Sequence, residues 1–450
     1  MIPFKLTEEL LEDIRQLIAD KKNGALKSMM QEFHYADVAE IADELNVEEA
    51  TYLIKLLDSE KTSDILAEMH EDIREAVLKN LTAKEIADEL SELDTDDAAD
   101  IINELPKEII QEVISEIEDR DHAKDIVDLL RYDDDSAGGL MAKELVKVNE
   151  NWTVTTCVKE MRAQAENVTR VHSIYVVDDE GKLKGRLSLK DLLTTSTKTH
   201  IKDVYIAKVD AVNVNEKGEE VAKIMSKYDL EAIPVVDEIG RLVGRITIDD
   251  IVDVIREEAD RDYQMAAGIS QGVEADDSIW ELTRARLPWL ILGLFGGLGA
   301  AAIMGGFEEM ISKHAVLFYF TPLIAAMAGN VGVQSSAIIV QGLANDDLKG
   351  SVSNRLIKEM LLALLNGLIL AILLMLFTWI WKGAFATALA ISLSLVVVIV
   401  VAGLIGTFIP LFLHKRNIDP AIATGPFITT SNDIFGILIY FWIAKLILGI

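Results

Sequence analysis

Asp433 stands in the middle of the apolar stretch 421–450, AIATGPFITTSNDIFGILIYFWIAKLILGI, with no basic residue within ten positions. An ionised carboxylate at bilayer depth costs about 2.5–3.5 kcal/mol on insertion scales, so such a residue usually lines a water-filled path. An acid there with no built-in counter-charge points to a cation site. The other reading is a protonated Asp433, or one hydrogen-bonded to Thr429, Thr430, Ser431 or Asn432. A second stretch, FTPLIAAMAGNVGVQSSAIIVQG (320–342), sets Pro322, Gly329 and Gly332 where they would interrupt a helix, and it carries the amides of Asn330 and Gln334. Carbonyls freed at such breaks are hard oxygen ligands; small-residue helix packing is the alternative. Gly425 and Pro426 repeat the theme one or two turns before Asp433.

The ligand types narrow the ion. No His or Cys falls inside the expected spans, so zinc or copper chemistry lacks its usual donors. Carboxylate, amide and carbonyl oxygens suit Mg²⁺, Mn²⁺ or Ca²⁺. Mg²⁺ is typically held through one or two carboxylates while keeping several waters. One Asp cannot neutralise a divalent ion, whereas two copies facing across a two-fold axis can, which favours a pore at the axis of a homodimer. An enzyme is not expected, because no HExxH and no paired nucleophile and base occur in a span.

Five apolar stretches must position these residues: roughly 287–304, 315–342, 356–381, 384–413 and 421–449, each long enough for a bilayer core of ~30 Å. The loops holding Lys349, Arg355 and Lys358, and Lys415 and Arg416, are richer in cations than those offering Lys313 or Lys382. Positive-inside counting therefore puts the richer loops and the N-terminal domains in the cytosol. The N-terminus, MIPFKLTEELLEDIRQ, carries charges where a secretory signal would be apolar.

Charge divides the 450-residue chain: 34 basic and 67 acidic residues precede Arg286, a net of −33, against nine and seven from there on. Such a field repels nucleic acid and concentrates cations, so DNA and RNA are excluded as partners. The single cysteine, Cys157, reads as a buried thiol and cannot form an intrachain disulfide.

Within the acidic part, DVAEIADEL (37–45), EIADELSEL (85–93) and DAADIINEL (97–105) repeat an apolar stripe at helical spacing with acids opposite. That pattern predicts stacked helical hairpins winding into a superhelix over residues 1–130. Residues 131–262 contain a second repeat. SIYVVDDEGKLKGRLSLKDLL (173–193) and AIPVVDEIGRLVGRITIDDIV (232–252) align at an offset of 59, each with a strand, a Gly-held turn (Gly181, Gly240), a second strand, and a Ser188 or Thr247 that opens a helix three residues before an Asp. The two copies resemble a tandem cystathionine-β-synthase-type (CBS) pair, an α+β sensor module that clamps adenine nucleotides or ions. Beyond the second copy, Asp250, Asp253 and Glu257 fall on one helix face; either solvent or bound divalent cations must offset their repulsion.

Taken together, the chain resembles the MgtE family of bacterial magnesium channels and transporters. The most specific pieces are RYDDDSAGGLM (131–141), Gly329 to Ser335, and Asp419 to Gly436. The resemblance implies a multidomain protein: an α-helical superhelical N-domain (1–130), a CBS pair (131–262), a plug-like linker helix (263–283) and a five-helix transmembrane domain (284–450). It also implies a homodimer in the bacterial inner membrane whose Mg²⁺ path is lined by the second and fifth spans, with Asp433, Gly329 and Asn330 at its centre. Cytosolic Mg²⁺ would close it by binding Asp96 and Asp100 in the N-domain and Asp229, Asp250, Asp253 and Glu258 in and after the second copy. Transport of Mn²⁺, Co²⁺ or Ca²⁺ is the alternative. Val333 and Gly425 stand where some members carry amides, leaving backbone oxygens as the substitute. Ser173 and Leu230 occupy positions where an aromatic would stack on adenine, so nucleotide binding is not expected.

Overall fold

The computed structural model describes residues 4–449 except 166, 167, 169, 271, 276, 345–347, 349, 350, 417 and 424. Lys349, one of the cations used to orient the chain, lies outside the described residues. The chain divides into two compact units, Met1–Ile255 and Arg256–Ile450.

The first unit begins with ten short helices: α1 (Glu8–Ala19), α2 (Asn23–Glu32), α3 (Tyr35–Asp43), α4 (Val47–Leu56), α5 (Ser59–Glu68), α6 (Glu71–Leu78), α7 (Ala83–Leu90), α8 (Thr95–Glu104), α9 (Lys107–Glu116) and α10 (Arg120–Leu129). The three periodic segments coincide with α3, α7 and α8. Side-chain caps start many of them: Asn46 and Thr82 open α4 and α7 with reciprocal bonds to Glu49 and Glu85. Each helix is too short to be stable alone. Packing two helices onward (α3 on α5, α5 on α7, α7 on α9, α4 on α6, α8 on α10) buries the apolar stripes in superhelical order.

Arg74 of α6 is the polar joint of this stack. Its Nε donates to both Glu104 carboxylate oxygens at 3.1 and 2.9 Å, and its Nη1 donates to the carbonyls of Leu66, Ala67 and Met69 at 3.1, 2.9 and 3.2 Å. The guanidinium thus closes the C-terminal end of α5, where carbonyls lack helical partners.

Two three-stranded sheets follow. Strands β1 (Val146–Asn149), β2 (Ile174–Val177) and β3 (Leu183–Leu187) form one, and β4 (Val212–Asn213), β5 (Ala232–Val236) and β6 (Leu242–Thr247) the other, each with a parallel then an antiparallel pairing. The repeat of 59 is exact down to the irregularities: the register shifts at Val176/Val177 and again at Val235/Val236. Gly181 and Gly240 adopt φ of 80° and 84°, a region that disfavours any Cβ. The two turns are tied to each other, Leu183 N donating to Gly240 O and Leu242 N to Gly181 O, both at 3.0 Å. Helices α11 (Val154–Gln164), α12 (Leu189–Thr194), α13 (Gly218–Tyr228) and α14 (Ile248–Ala267) complete the region. Ser188 caps α12 and Thr247 bonds Asp250 at the start of α14, as the repeat predicted. One apolar core runs from the ten helices into the second sheet (Val212, Ile233, Val235, Ile246), while the first sheet has its own around Val146, Val176 and fully buried Cys157.

In the second unit five helices are long and apolar enough to cross a membrane: α15 (Ile279–Gly306), α17 (Ala315–Ala344), α18 (Val352–Lys382), α19 (Phe385–His414) and α20 (Gly425–Leu448), with short α16 (Glu308–Lys313) between the first two. Three expectations change here. First, α17 runs unbroken through Pro322, Gly329 and Gly332, because a Pro in the third turn of a long helix forfeits one backbone bond that the surrounding bundle tolerates. Second, α20 starts at Gly425 rather than 421; Gly425 has φ 47°, Pro426 takes the first turn where its missing N–H costs nothing, and a 3₁₀ turn covers Pro420–Ala423. Third, 263–283 is no separate helix. It comprises the end of α14, an irregular stretch, and the first turns of α15, which starts at the Ser278 cap. Gly268 (φ 84°) ends α14, and the Gln264 amide clamps the following turn by accepting from Val273 N (3.1 Å) and donating to its carbonyl (2.8 Å).

Arg74→Ala is expected to lower the stability of the helical stack by about 3 kcal/mol, since it leaves the largely covered Glu104 carboxylate without its partner. The denaturant midpoint of the far-ultraviolet helical signal measures this, and an unchanged midpoint would show the pair to be dispensable.

Candidate functional site

The first constellation gathers around the start of α8. Thr95 is buried; its hydroxyl donates to Glu144 Oε2 at 2.8 Å, its N–H to the same oxygen at 3.2 Å, and it accepts Lys143 N–H at 2.9 Å. This knot carries Glu144 to Asp94 and Asp96, and each of the three offers a carboxylate oxygen within 4.8 Å of the other two. Asp250 arrives from the start of α14, held by Thr247, whose N–H and hydroxyl donate to Oδ2 at 3.1 and 2.7 Å. The nearby cation is Arg245, with Nη2 3.5 Å from Asp94.

Asp94, Asp96, Glu144 and Asp250 are half-buried and Asp97 and Asp100 lie at the exposed rim, and so many acids crowded together cannot all ionise freely. Burial, reinforced by Asp250, pushes Asp96 well above the carboxylate range. Burial and Asp250 raise Asp97 to about 7, burial and Asp134 raise Asp100 to about 7, and burial and Asp249 raise Asp250 to about 6 against the bonds from Thr247. Glu144 is also raised by burial. All the donors are oxygens, the set that favours Mg²⁺, Ca²⁺ or Mn²⁺. Oxygens opposite each other across a Mg²⁺ at ~2.1 Å lie about 4.2 Å apart. A group spanning up to 4.8 Å therefore suits an ion that retains water toward one carboxylate.

Of the residues expected here, the structure brings Asp96, Asp100 and Asp250 into one electrostatic group. Asp253 is exposed and its charge reaches Glu68 instead. Asp229 is an exposed residue with φ 50° that ends α13, a position where Asp is tolerated by local hydrogen bonding. Glu258 belongs to the second unit and pairs with Arg261 at 2.5 Å. Asp94 and Glu144 escaped the sequence reading. Asp94 precedes α8 without capping it through its side chain, and Glu144 meets Thr95 across 49 positions with no local periodicity to announce it.

The second constellation is in the membrane unit. Asp433 is half-buried on α20, and no hydrogen bond or ion pair engages it among the described residues. That removes the bonded alternative with Thr429 to Asn432; the Thr429 hydroxyl donates back to Gly425 O at 3.0 Å. Gly329 lets α17 lie against this site: a methyl there would be 3.1 Å from Thr429 Cγ2 and 3.7 Å from Asp433 Oδ1. Gly332 faces the buried Asn432 amide, and its carbonyl abuts Gly406 of α19; a Cβ at either glycine would collide. Neither amide atom of Asn432 has a partner. Asn330 is exposed, on a different side of α17 from the Gly329 face. With α17 unbroken, the carbonyls expected as ligands belong to a continuous helical ladder, and the glycines act by close packing. His414 ends α19, so the helix reaches one residue past the expected span.

Stability of the first unit should respond to pH with a definite sign. The acids of the α8 cluster bind protons more tightly folded than at their ordinary ~3.9, so the native state holds more protons and stability falls as pH rises. The fall should run from about pH 4 through 6 to 7, where Asp250, Asp97 and Asp100 titrate, and level off above. A divalent cation should reverse the loss at pH 8, and its binding at pH 6.5 should release protons. Thermal melts across pH with and without Mg²⁺, plus proton release in weak buffer, check both; a flat profile would contradict the cluster's electrostatics.

Residues 33–135 match the MgtE intracellular N domain, 137–197 and 201–257 match CBS domains, and 321–443, which include Gly329, Asn330 and Asp433, match the MgtE divalent cation transporter domain. Magnesium transporter MgtE of Enterococcus faecalis is 37% identical over 325 residues, 72% of each chain. That of Thermus thermophilus is 33% identical over 448 residues, 98% of this chain and 99% of its own. A solved cytosolic domain of the Mg²⁺ channel MgtE in complex with ATP is 34% identical, covers 54% of this chain and 99% of its own, and superposes with a TM-score of 0.51. The chain belongs to the MgtE family of magnesium transporters.

Proposed function

We propose that this chain carries Mg²⁺ across the bacterial inner membrane along a path lined by α17 and α20, and that cytosolic Mg²⁺ held by the acids of the first unit closes it. The observation that carries the reading is Asp433: an acid inside an apolar helix, half-buried, with no counter-charge and no hydrogen bond among the described residues, and faced by a glycine whose missing side chain lets α17 approach it. A carboxylate kept in that condition needs a cation from outside the fold. A single Asp433 leaves a divalent ion half-neutralised, so we assign the working form as a homodimer with two such residues facing across its axis. Asn330, exposed on α17 away from the Gly329 face, would serve the path through its amide only where the partner subunit brings that side of α17 to the axis.

For closure, the acids of α8 and Glu144 supply the ion site, with Asp250 at the root of α14. We take 1–130, 131–262 and 284–450 as functional domains and 263–283 as the plug-like connection. Support comes from the second unit, where Gly268 packs on Pro426 and the Ala266 carbonyl meets Gly425. The end of α14 thus sits against the start of α20, the helix that bears Asp433 two turns on. An ion that binds the closed arrangement better shifts the equilibrium by that difference in affinity. Transport of Mn²⁺, Co²⁺ or Ca²⁺ is the competing reading, since the same oxygen donors accept them.

In proteoliposomes, Asp433→Ala and Asp433→Asn are both expected to cut Mg²⁺ flux at least tenfold while leaving the protein folded; wild-type flux from folded variants would refute the pore assignment. In inside-out patches, combined Asp96→Asn, Glu144→Gln and Asp250→Asn should stay open at cytosolic Mg²⁺ that shuts the wild type, whereas Asp229→Asn should close normally. Closure of the triple variant at wild-type Mg²⁺ would reduce the cluster to a solvated surface.

A further inference from the structure

A second carboxylate lies inside a membrane helix and takes no part in the reading above. Glu359 is seven residues into α18, about 10 Å along the axis from its first residue, in the apolar context IKEMLLALL. We propose that Glu359 is a positioning residue for transport: it fixes the segment 329–335 of α17 and thereby sets how tightly the Asp433 site holds Mg²⁺. The proposal rests on the reading of Asp433 given above.

The geometry is a three-helix junction. Glu359 Oε1 accepts the hydroxyl of Ser335, a residue 5% exposed on α17, at 2.6 Å. On the far side, Gly403 of α19 clears space for the same oxygen; a methyl there would lie 2.9 Å from Oε1 and 3.4 Å from Ala363 Cβ. The Ser335 hydroxyl has one proton and two acceptors, because it also reaches the Val331 carbonyl at 2.9 Å. Glu359 therefore competes with the backbone of α17 for that proton. Bonds to a carboxylate are roughly twice as strong as neutral ones, and ionisable groups inside spans are costly enough to be functional by default.

The tie reaches the ion site through rigid backbone. Ser335 and Gly329 are six residues apart on an unbroken helix, about 9 Å, and between them Gly332 is wedged between the Asn432 amide and Gly406. A shift of α17 at Ser335 cannot be absorbed by a hinge before Gly329, whose bare Cα sets the clearance beside Asp433.

The test is Mg²⁺ uptake by the full chain in proteoliposomes, read as half-saturation and as preference for Mg²⁺ over Ca²⁺. Glu359→Ala and Ser335→Ala should each raise half-saturation at least about fivefold, and the double variant should be no worse than either single, as expected for partners in one interaction. Glu359→Gln, which keeps an acceptor oxygen, should stay near wild type. Wild-type half-saturation and preference in Glu359→Ala would overturn the proposal. So would a Glu359→Gln as impaired as Glu359→Ala beside a harmless Ser335→Ala, because the carboxylate would then act by its charge. If Glu359→Ala does not fold, the Gln and Ser335→Ala variants decide by the same criteria. Asp433→Asn in the same assay keeps the readings apart: wild-type flux there sinks the Asp433 assignment, whereas lost flux there with silent Glu359 and Ser335 variants sinks only this one.

Discussion

A carboxylate without a counter-charge in an apolar helix bundle is the constraint on which the membrane unit depends. Among the described residues Asp433 has no Arg or Lys beside it and no hydrogen bond, and a carboxylate left in that condition is costly in an apolar bundle. Helix packing elsewhere in the unit is correspondingly close. Gly329, Gly332, Gly406 and Gly436 let α17, α19 and α20 approach until backbone and side chain touch, the usual means of association where lipid offers no hydrophobic drive.

The soluble unit applies the same physics with the opposite arrangement. There the acids are many and crowded against one another at a partly covered face, and the price of that crowding is a set of carboxyls whose affinity for protons is raised. A divalent ion relieves both burial and repulsion at once, which protons relieve only one charge at a time. Arg245 supplies one fixed positive charge beside Asp94, too little to neutralise the group, so the folded unit is built with an electrostatic deficit.

Much of this was legible in the sequence, where local rules govern. The 59-residue offset carried the sheets, their turns and even their matching irregularities, because a repeated pattern repeats its backbone. Five apolar runs became five helices, and the stripes of α3, α7 and α8 sat where their periodicity put them. What the sequence hid was tertiary. Glu144 joins Asp94 and Asp96 only through a fold that closes 49 positions between it and Thr95. Pro322 and the glycines of α17 read as breaks by propensity, yet a long helix inside a bundle keeps its ladder and spends the glycines on packing. Asp229, read as a ligand by resemblance, also has a backbone role that no motif announced: it ends α13 at a left-handed φ of 50°.

The paired bonds between the Gly181 and Gly240 turns join the two sheet modules through main-chain atoms alone. Behind that reciprocal pair, Tyr175, Val177 and Leu183 of the first sheet pack with Leu242 of the second in one small apolar core. Relative movement of the two sheets would therefore have to shear apolar contacts as well as stretch two hydrogen bonds, so the repeats respond as one body.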